Sequence, residues 1–175
     1  MTDGNQDRTA AVREGNPELR IIDNEVYIGM LRELVRDGQE VSLLISGGSM
    51  TPFLIHLRDR VILAPVSTPL RLGDIVMYQR QNGQYVMHRI VGCRKDGTFV
   101  LCGDAQTVRE YGIRAEQIFA RVSAAERKGK WIRPGDAFWI FFAQVWSRVI
   151  PLRRFLLAGW SIVRRFRRTE RNREE

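Results

Sequence analysis

The stretch that decides the fold reads YVMHRIVGCRKDGTFVLCGD and covers residues 85 to 104. Runs rich in Val, Ile, Phe and Tyr flank a KDG turn at residues 95 to 97. Such runs around a short polar turn predict two antiparallel strands, residues 85 to 94 and 98 to 104. The segment therefore indicates a β-rich core.

The length of the turn determines which side chains meet across this hairpin. A three-residue loop with Gly97 in the left-handed conformation pairs positions whose numbers sum to 192, which sets His88 opposite Asp104. Directly opposed residues have Cβ atoms about 5 Å apart. A two-residue turn at Asp96 and Gly97 would send the two side chains to opposite faces. A His–Asp interaction therefore favours the three-residue loop.

Ser49 lies in a glycine turn, ISGGSMTPFL, at residues 45 to 54. A serine hydroxyl becomes nucleophilic when a base takes its proton and a third group orients that base. His88 and Asp104 supply these two groups, and glycine N–H groups can receive an oxyanion. Taken singly, each residue has a plainer interpretation: Ser49 as a loop or capping serine, His88 as a buried strand histidine, and Asp104 as a turn residue.

Four short motifs in this order resemble the signal-peptidase-like superfamily of serine peptidases, closest to its endoplasmic-reticulum and archaeal type. The family pattern reads Ser-Gly-Ser-Met-x-Pro, Gly-Asp-hydrophobic, His-Arg-hydrophobic and Gly-Asp-Asn. The matches lie between residues 41 and 122 and are Ser49-Met50-Thr51-Pro52, Gly73-Asp74-Ile75-Val76, His88-Arg89-Ile90-Val91 and Gly103-Asp104.

The resemblance implies a β-barrel or sandwich and a serine endopeptidase that cleaves a precursor or leader peptide. It implies Ser49 as nucleophile, His88 as base and Asp104 as the orienting acid, with no cofactor and no metal. The family's serine two positions before the nucleophile is Gly47 here, with Ser46 before it, so the N–H groups of Gly48 and Ser49 are the expected oxyanion donors.

A second acid follows Gly-Asp by about six residues in this type of enzyme, and Glu110 occupies that place. The resemblance therefore gives Glu110 a supporting role. The alternative from another functional class is a noncatalytic module on the same fold, which holds an extended peptide by strand addition without cutting it. If Asp104 stabilises the His88 imidazolium, activity should rise with an apparent pKa at or above the ordinary ~6.5.

The 175 residues suffice for one sizeable core. Residues 1 to 16 are polar and predict a disordered lead-in without a secretory signal. Asn24 and Gly38 are placed to begin and end an N-terminal helix. The expected peptidase domain covers residues 17 to 135. His56 is interpreted as structural or surface, and Cys93 and Cys102 as reduced thiols, which fits a cytoplasmic protein.

Residues 136 to 175 predict a basic amphipathic helical tail. From Arg148 onward, nine arginines stand against three glutamates, a net +6 within a chain of formal charge +8. Its apolar runs fall short of the ~18 to 20 residues that span a bilayer, so the tail predicts a peripheral contact with an anionic membrane. The alternative is that residues 138 to 163 pack on the β core. Nucleic-acid binding is not expected, because no recognition-helix pattern is present.

Overall fold

The structure, a computed structural model, describes residues 24–153. The predicted lead-in 1–16 and the tail beyond Arg153 lie outside the described residues. Within them, eight antiparallel strands follow one helix and precede a short helical segment. This arrangement confirms the mainly β, α+β class.

The elements run as follows: α1 (Asn24–Arg36), β1 (Val41–Leu44), β2 (Arg60–Ala64), β3 (Ile75–Gln79), β4 (Tyr85–Cys93), β5 (Phe99–Cys102), β6 (Glu110–Ile113), β7 (Ile118–Arg127), β8 (Lys130–Ile132) and α2 (Ala137–Ile140). The last helix continues as a π-helical turn over Phe141–Trp146, and a 3₁₀ turn follows at Ile150–Leu152. Strand β6 was not predicted from the sequence.

The strands form an open sheet in the order β1-β2-β7-β3-β4-β5-β6, with β8 also paired to β7. Several stretches of strand edge lack a partner within residues 24–153, and two of them matter for the site described below. One is the outer edge of β1, and the other is the first half of β4, because β5 pairs only with residues 89 to 93 of that strand. Unpaired strand edges carry free N–H and C=O groups that can accept an added strand.

Apolar side chains of α1 recur at helical spacing and bury the inner face of that helix against the sheet. Ile28, Leu31 and Val35 are buried in the main core. The helix ends as predicted, because Gly38 takes a φ of 87°, a conformation in which glycine avoids the Cβ clash.

Residues 138 to 150 pack on the β core, as the alternative interpretation expected. Trp139, Phe142 and Trp146 are buried in the main core, and the ring of Phe53 lies 5.2 Å from that of Trp139 and 5.1 Å from that of Phe142. No helix of residues 24–153 is both long enough and apolar enough to cross a bilayer.

The predicted turn of the β4–β5 hairpin is confirmed, but the predicted register holds for only half of its length. Arg94 and Thr98 close the three-residue loop, and Gly97 has a φ of 81°. Cys93 pairs with Phe99, as expected, whereas a bulge at position 91 shifts the pairs beyond it, so that Arg89 faces Cys102. The expected pairing of His88 with Asp104 is therefore wrong.

Candidate active site

The turn that carries Ser49 is held from its C-terminal side by buried apolar side chains. Met50, Phe53 and Leu54 lie in the main core, while Gly47 and Gly48 are exposed and Ser49 is half-buried. The Thr51 N–H donates to the Gly48 carbonyl at 3.1 Å and closes the turn. Ser49 is thus presented at the surface by a rigid foundation.

The backbone N–H groups of residues 47 to 49 divide into one that has a hydrogen-bond partner and two that are free. The Gly47 N–H donates to Nδ1 of His56 at 2.9 Å, which gives the second histidine a structural role, as predicted. The N–H groups of Gly48 and Ser49 have no hydrogen-bond partner within the described part of the chain. These two donors are the ones expected for an oxyanion, and Ser46 is exposed beside them.

His88 projects from β4 into a buried site and contacts Glu110 rather than Asp104. Its Nδ1 lies 3.2 Å from Oε1 of Glu110 and 3.1 Å from the hydroxyl of Tyr78, and the ring is only 1% exposed. The residues come together because Val76 and Tyr78 of β3 share a face with His88, while Glu110 pairs with Leu101 on that same face. With Nδ1 engaged, Nε2 is the nitrogen left for chemistry.

Arg80 fixes the carboxylate of Glu110 from the other side. Its guanidinium makes a two-point contact, with Nε 2.8 Å from Oε2 and Nη2 against Oε1. Desolvation acts to raise the pKa of Glu110, but hydrogen bonds from Arg80 and Tyr78 outweigh it, so the net pKa is lowered. Glu110 is therefore a carboxylate at neutral pH.

Burial dominates the titration of His88. Desolvation lowers the pKa of His88 to about 4, and the negative charge of Glu110 opposes that shift only in part. Burial and the Glu110 carboxylate also raise the pKa of Tyr78 above its usual range, so Tyr78 remains a neutral phenol. The expected upward shift of the His88 pKa is not found, because desolvation outweighs the charges of the neighbouring carboxylates.

Asp104 forms a buried ion pair with Arg89. Nε and Nη2 of Arg89 lie 3.0 and 2.7 Å from the two carboxylate oxygens, and neither side chain is exposed. Arg89 also donates to the Gly73 carbonyl and stacks 4.8 Å from the ring centroid of Phe53. This geometry ties β4 to the end of β5 and leaves Asp104 no contact with the His88 ring.

The loop that contains Asp104 supports the Ser49 turn through backbone contacts. The Ala105 N–H donates to the Ser49 carbonyl at 2.8 Å. Gly103 permits this approach, because a Cβ at that position would lie 2.6 Å from the same carbonyl oxygen. The N–H of the Trp146 indole binds the Asp104 carbonyl, and buried Arg153 binds the carbonyls of Gly103 and Gln106.

Ser49 and His88 line one cavity of about 760 Å³. Its walls come from the two unpaired strand edges, with Leu43, Leu44 and Ile45 on one side and residues 85 to 87 on the other. Ser46 and Gly47 also line it, whereas Asp104 and Glu110 do not. No hydrogen bond joins the Ser49 hydroxyl to His88 in residues 24–153, and such contacts commonly tighten only when substrate binds. Cavities of this size accommodate small ligands or peptide side chains.

Comparison of the chain with protein-family models and with curated proteins gave no match. The fold and the site therefore have to be interpreted from their own geometry.

Sequence reasoning missed Tyr78, Arg80 and Arg89, which complete the surroundings of the two acids. A charged residue within an apolar strand requires a partner when buried, and this requirement could have marked Arg89. Tyr78 and Arg80 carry no comparable signal, because pairings between strands distant in sequence bring them to Glu110.

Proposed function

We propose that the chain is a serine endopeptidase of the signal-peptidase-like superfamily, acting on a precursor or leader peptide through an acyl-enzyme on Ser49. The observation that carries the proposal is the shared cavity of Ser49 and His88, with the Glu110 carboxylate behind the imidazole. An open antiparallel sheet is consistent with this superfamily, and so is the order of the four motifs along the chain.

In the proposed reaction, Nε2 of His88 takes the proton as the Ser49 Oγ attacks the peptide carbonyl carbon. The oxyanion accepts hydrogen bonds from the Gly48 and Ser49 N–H groups. The imidazolium then gives its proton to the leaving amine, and the C–N bond breaks to leave an ester on Ser49. Water, deprotonated by the same imidazole, attacks the ester and releases the carboxyl product and the free hydroxyl.

Glu110 takes the role that the sequence assigned to Asp104. A proton on the buried ring at neutral pH is costly, since the pKa of His88 is about 4. The Glu110 carboxylate lies 3.2 Å from Nδ1 and so stabilises the imidazolium that forms in the transition state. Asp104 makes no hydrogen bond to the ring and is bound by Arg89, so its charge acts on His88 more weakly than that of Glu110.

The substrate class follows from the walls of the cavity. An extended peptide can add to the unpaired edges of β1 and β4 by main-chain hydrogen bonds. Ile28, Leu43 and Met77 line the space between these edges. We therefore expect uncharged, apolar side chains next to the cleaved bond.

The alternative function is a peptide-binding module without turnover. The absence of a hydrogen bond between Ser49 and His88 within residues 24–153 favours it, as does the lack of a side-chain oxyanion donor at Gly47. Both functions use the same cavity, so a chemical probe of Ser49 is needed to distinguish them.

A fluorophosphonate probe on the purified full chain tests the proposal, because only an activated serine reacts readily with it. We expect labelling of the wild type and of Ser42→Ala, an exposed serine on β1 that serves as the matched control. Ser49→Ala should abolish labelling without changing thermal unfolding. An unlabelled wild type that still binds extended apolar peptides would establish the alternative. Labelling that persists in Ser49→Ala would remove Ser49 from the mechanism.

A further inference from the structure

The C-terminal helical segment carries apolar side chains on two sides. Trp139, Phe142 and Trp146 face the core and are buried. An outer stripe, Phe138, Phe141 and Val145, follows the same three- and four-residue spacing and is 38%, 45% and 49% exposed. A helix that merely covers a core carries polar residues on its outer side. The outer stripe therefore requires an explanation beyond folding.

The two aromatic rings of the outer stripe pack on a buried ring. The ring of Phe142 lies 5.0 Å from that of Phe138 and 5.3 Å from that of Phe141, centroid to centroid. The stripe thus sits directly on the buried aromatic cluster. Ile140 and Leu152 add exposed apolar surface in the same segment. Contiguous exposed apolar surface of this kind marks interaction sites.

Positive charge flanks the outer stripe along the chain. Lys128, Lys130, Arg133 and Arg148 are exposed, and Asp136 is the one acidic residue between positions 128 and 148. The balance is +3, and the sequence after Arg153 adds seven arginines against three glutamates. Aromatic and basic residues together fit an anionic lipid surface, where rings enter the headgroup boundary and cations meet lipid phosphates.

We propose that the outer stripe docks the protein on an anionic bilayer, with the segment lying flat in the interface. The 14 residues between Arg133 and Arg148 are fewer than the ~20 that cross a bilayer, so the segment lies on the membrane rather than through it. A second copy of the chain is a poorer occupant, because a symmetric contact would oppose two surfaces of charge +3. The exposed cations select anionic over neutral lipid.

Sedimentation of the full-length chain with vesicles of phosphatidylglycerol and phosphatidylcholine tests this inference. Phe141→Asp and Val145→Asp should each reduce partitioning by on the order of tenfold or more, since each withdraws an apolar side chain from lipid and adds a negative charge. The matched control is Val108→Asp, which makes the same change at a side chain that is 76% exposed on the loop between β5 and β6. It should bind as the wild type does.

Four results would overturn the inference. They are a wild type that ignores anionic vesicles at low salt, equal binding to pure phosphatidylcholine, unchanged binding by both stripe variants, and a fall in molar mass of the stripe variants in light scattering. Unchanged binding would assign the attachment to the arginines after Arg153, and a mass change would assign the stripe to a second copy. Thermal unfolding accompanies each variant, and Val145→Ser replaces Val145→Asp if the aspartate lowers the midpoint. Fluorophosphonate labelling is a separate readout, so the peptidase proposal does not depend on the outcome.

Discussion

The two acids near His88 should differ in their effects on acylation rate and on stability when each is replaced by the uncharged amide of the same shape. Glu110→Gln removes the charge 3.2 Å from Nδ1 of His88, whereas Asp104→Asn removes the partner of buried Arg89. If Glu110 stabilises the imidazolium, its replacement should slow serine acylation by on the order of 10³ to 10⁴, the loss typical of a neutralised triad acid. Its cost in stability should be small, about 1 kcal/mol, because the Arg80–Glu110 pair is partly solvated.

Asp104→Asn should have the opposite pair of effects, a large loss of stability and little change in acylation rate. Both members of the Arg89–Asp104 pair are fully buried, and a broken buried pair leaves an uncompensated charge that costs about 3 to 5 kcal/mol. For a chain of this size, such a loss lowers the unfolding midpoint by on the order of 10 °C. Where the variant is still folded, its acylation rate should remain near that of the wild type.

The assay is the second-order rate constant for fluorophosphonate labelling, measured beside thermal unfolding of the same samples. A Glu110→Gln protein that reacts within fivefold of the wild type would refute the role given to Glu110. A folded Asp104→Asn protein whose labelling rate constant falls by 10³ or more would support Ser49, His88 and Asp104 as the catalytic set.

Three further outcomes follow from the structure. Because burial lowers the pKa of His88 to about 4, the labelling rate should stay constant from pH 7 down to about pH 5, and a fall in rate centred above pH 6.5 would contradict this. The unfolded chain binds a proton on His88 at higher pH than the folded chain does. The free energy of unfolding should therefore fall by ~3 kcal/mol, through His88 alone, as the pH falls from 6.5 to 4. Gly103→Ala should destabilise the fold by about 1 to 3 kcal/mol and slow labelling, because the new Cβ meets the Ser49 carbonyl, whereas Gly97→Ala at the hairpin turn should leave labelling unchanged. A maleimide should modify one thiol in the native protein and two after denaturation, since Cys93 is exposed and Cys102 is buried with a raised pKa; two equivalents in the native state would contradict the packing of Cys102.

Local patterns in the sequence were sufficient for the two strands of the β4–β5 hairpin and for the N-terminal helix. The β4–β5 turn was predictable because its loop length and the left-handed Gly97 are local properties. The register beyond the bulge was not, and one signal was overlooked. Gly92 inside an apolar strand is typical of a bulge, and a Cβ there would press on Val100 at 3.2 Å.

The candidate site was predictable only in its parts. Ser49 and His88 were identified from their motifs, and both line the same cavity. The choice between Asp104 and Glu110 depended on a one-residue shift within a strand and on the pairing of β6 with β5, which places Glu110 on the face of His88. Neither is encoded in local spacing, which is why Arg89, two positions from the bulge, reversed the expected partners.

The loop of residues 103 to 106 connects two distant parts of the chain and has a consequence for the order of events in synthesis. Its backbone is bound on one side to Ser49 and on the other to Trp146 and Arg153. A nascent chain that ends before Trp146 therefore has Ser49, His88 and both acids, but lacks the two side-chain donors that bind the backbone of this loop. The contacts that hold this loop from its other side therefore form only after residues 146 to 153 have been synthesised.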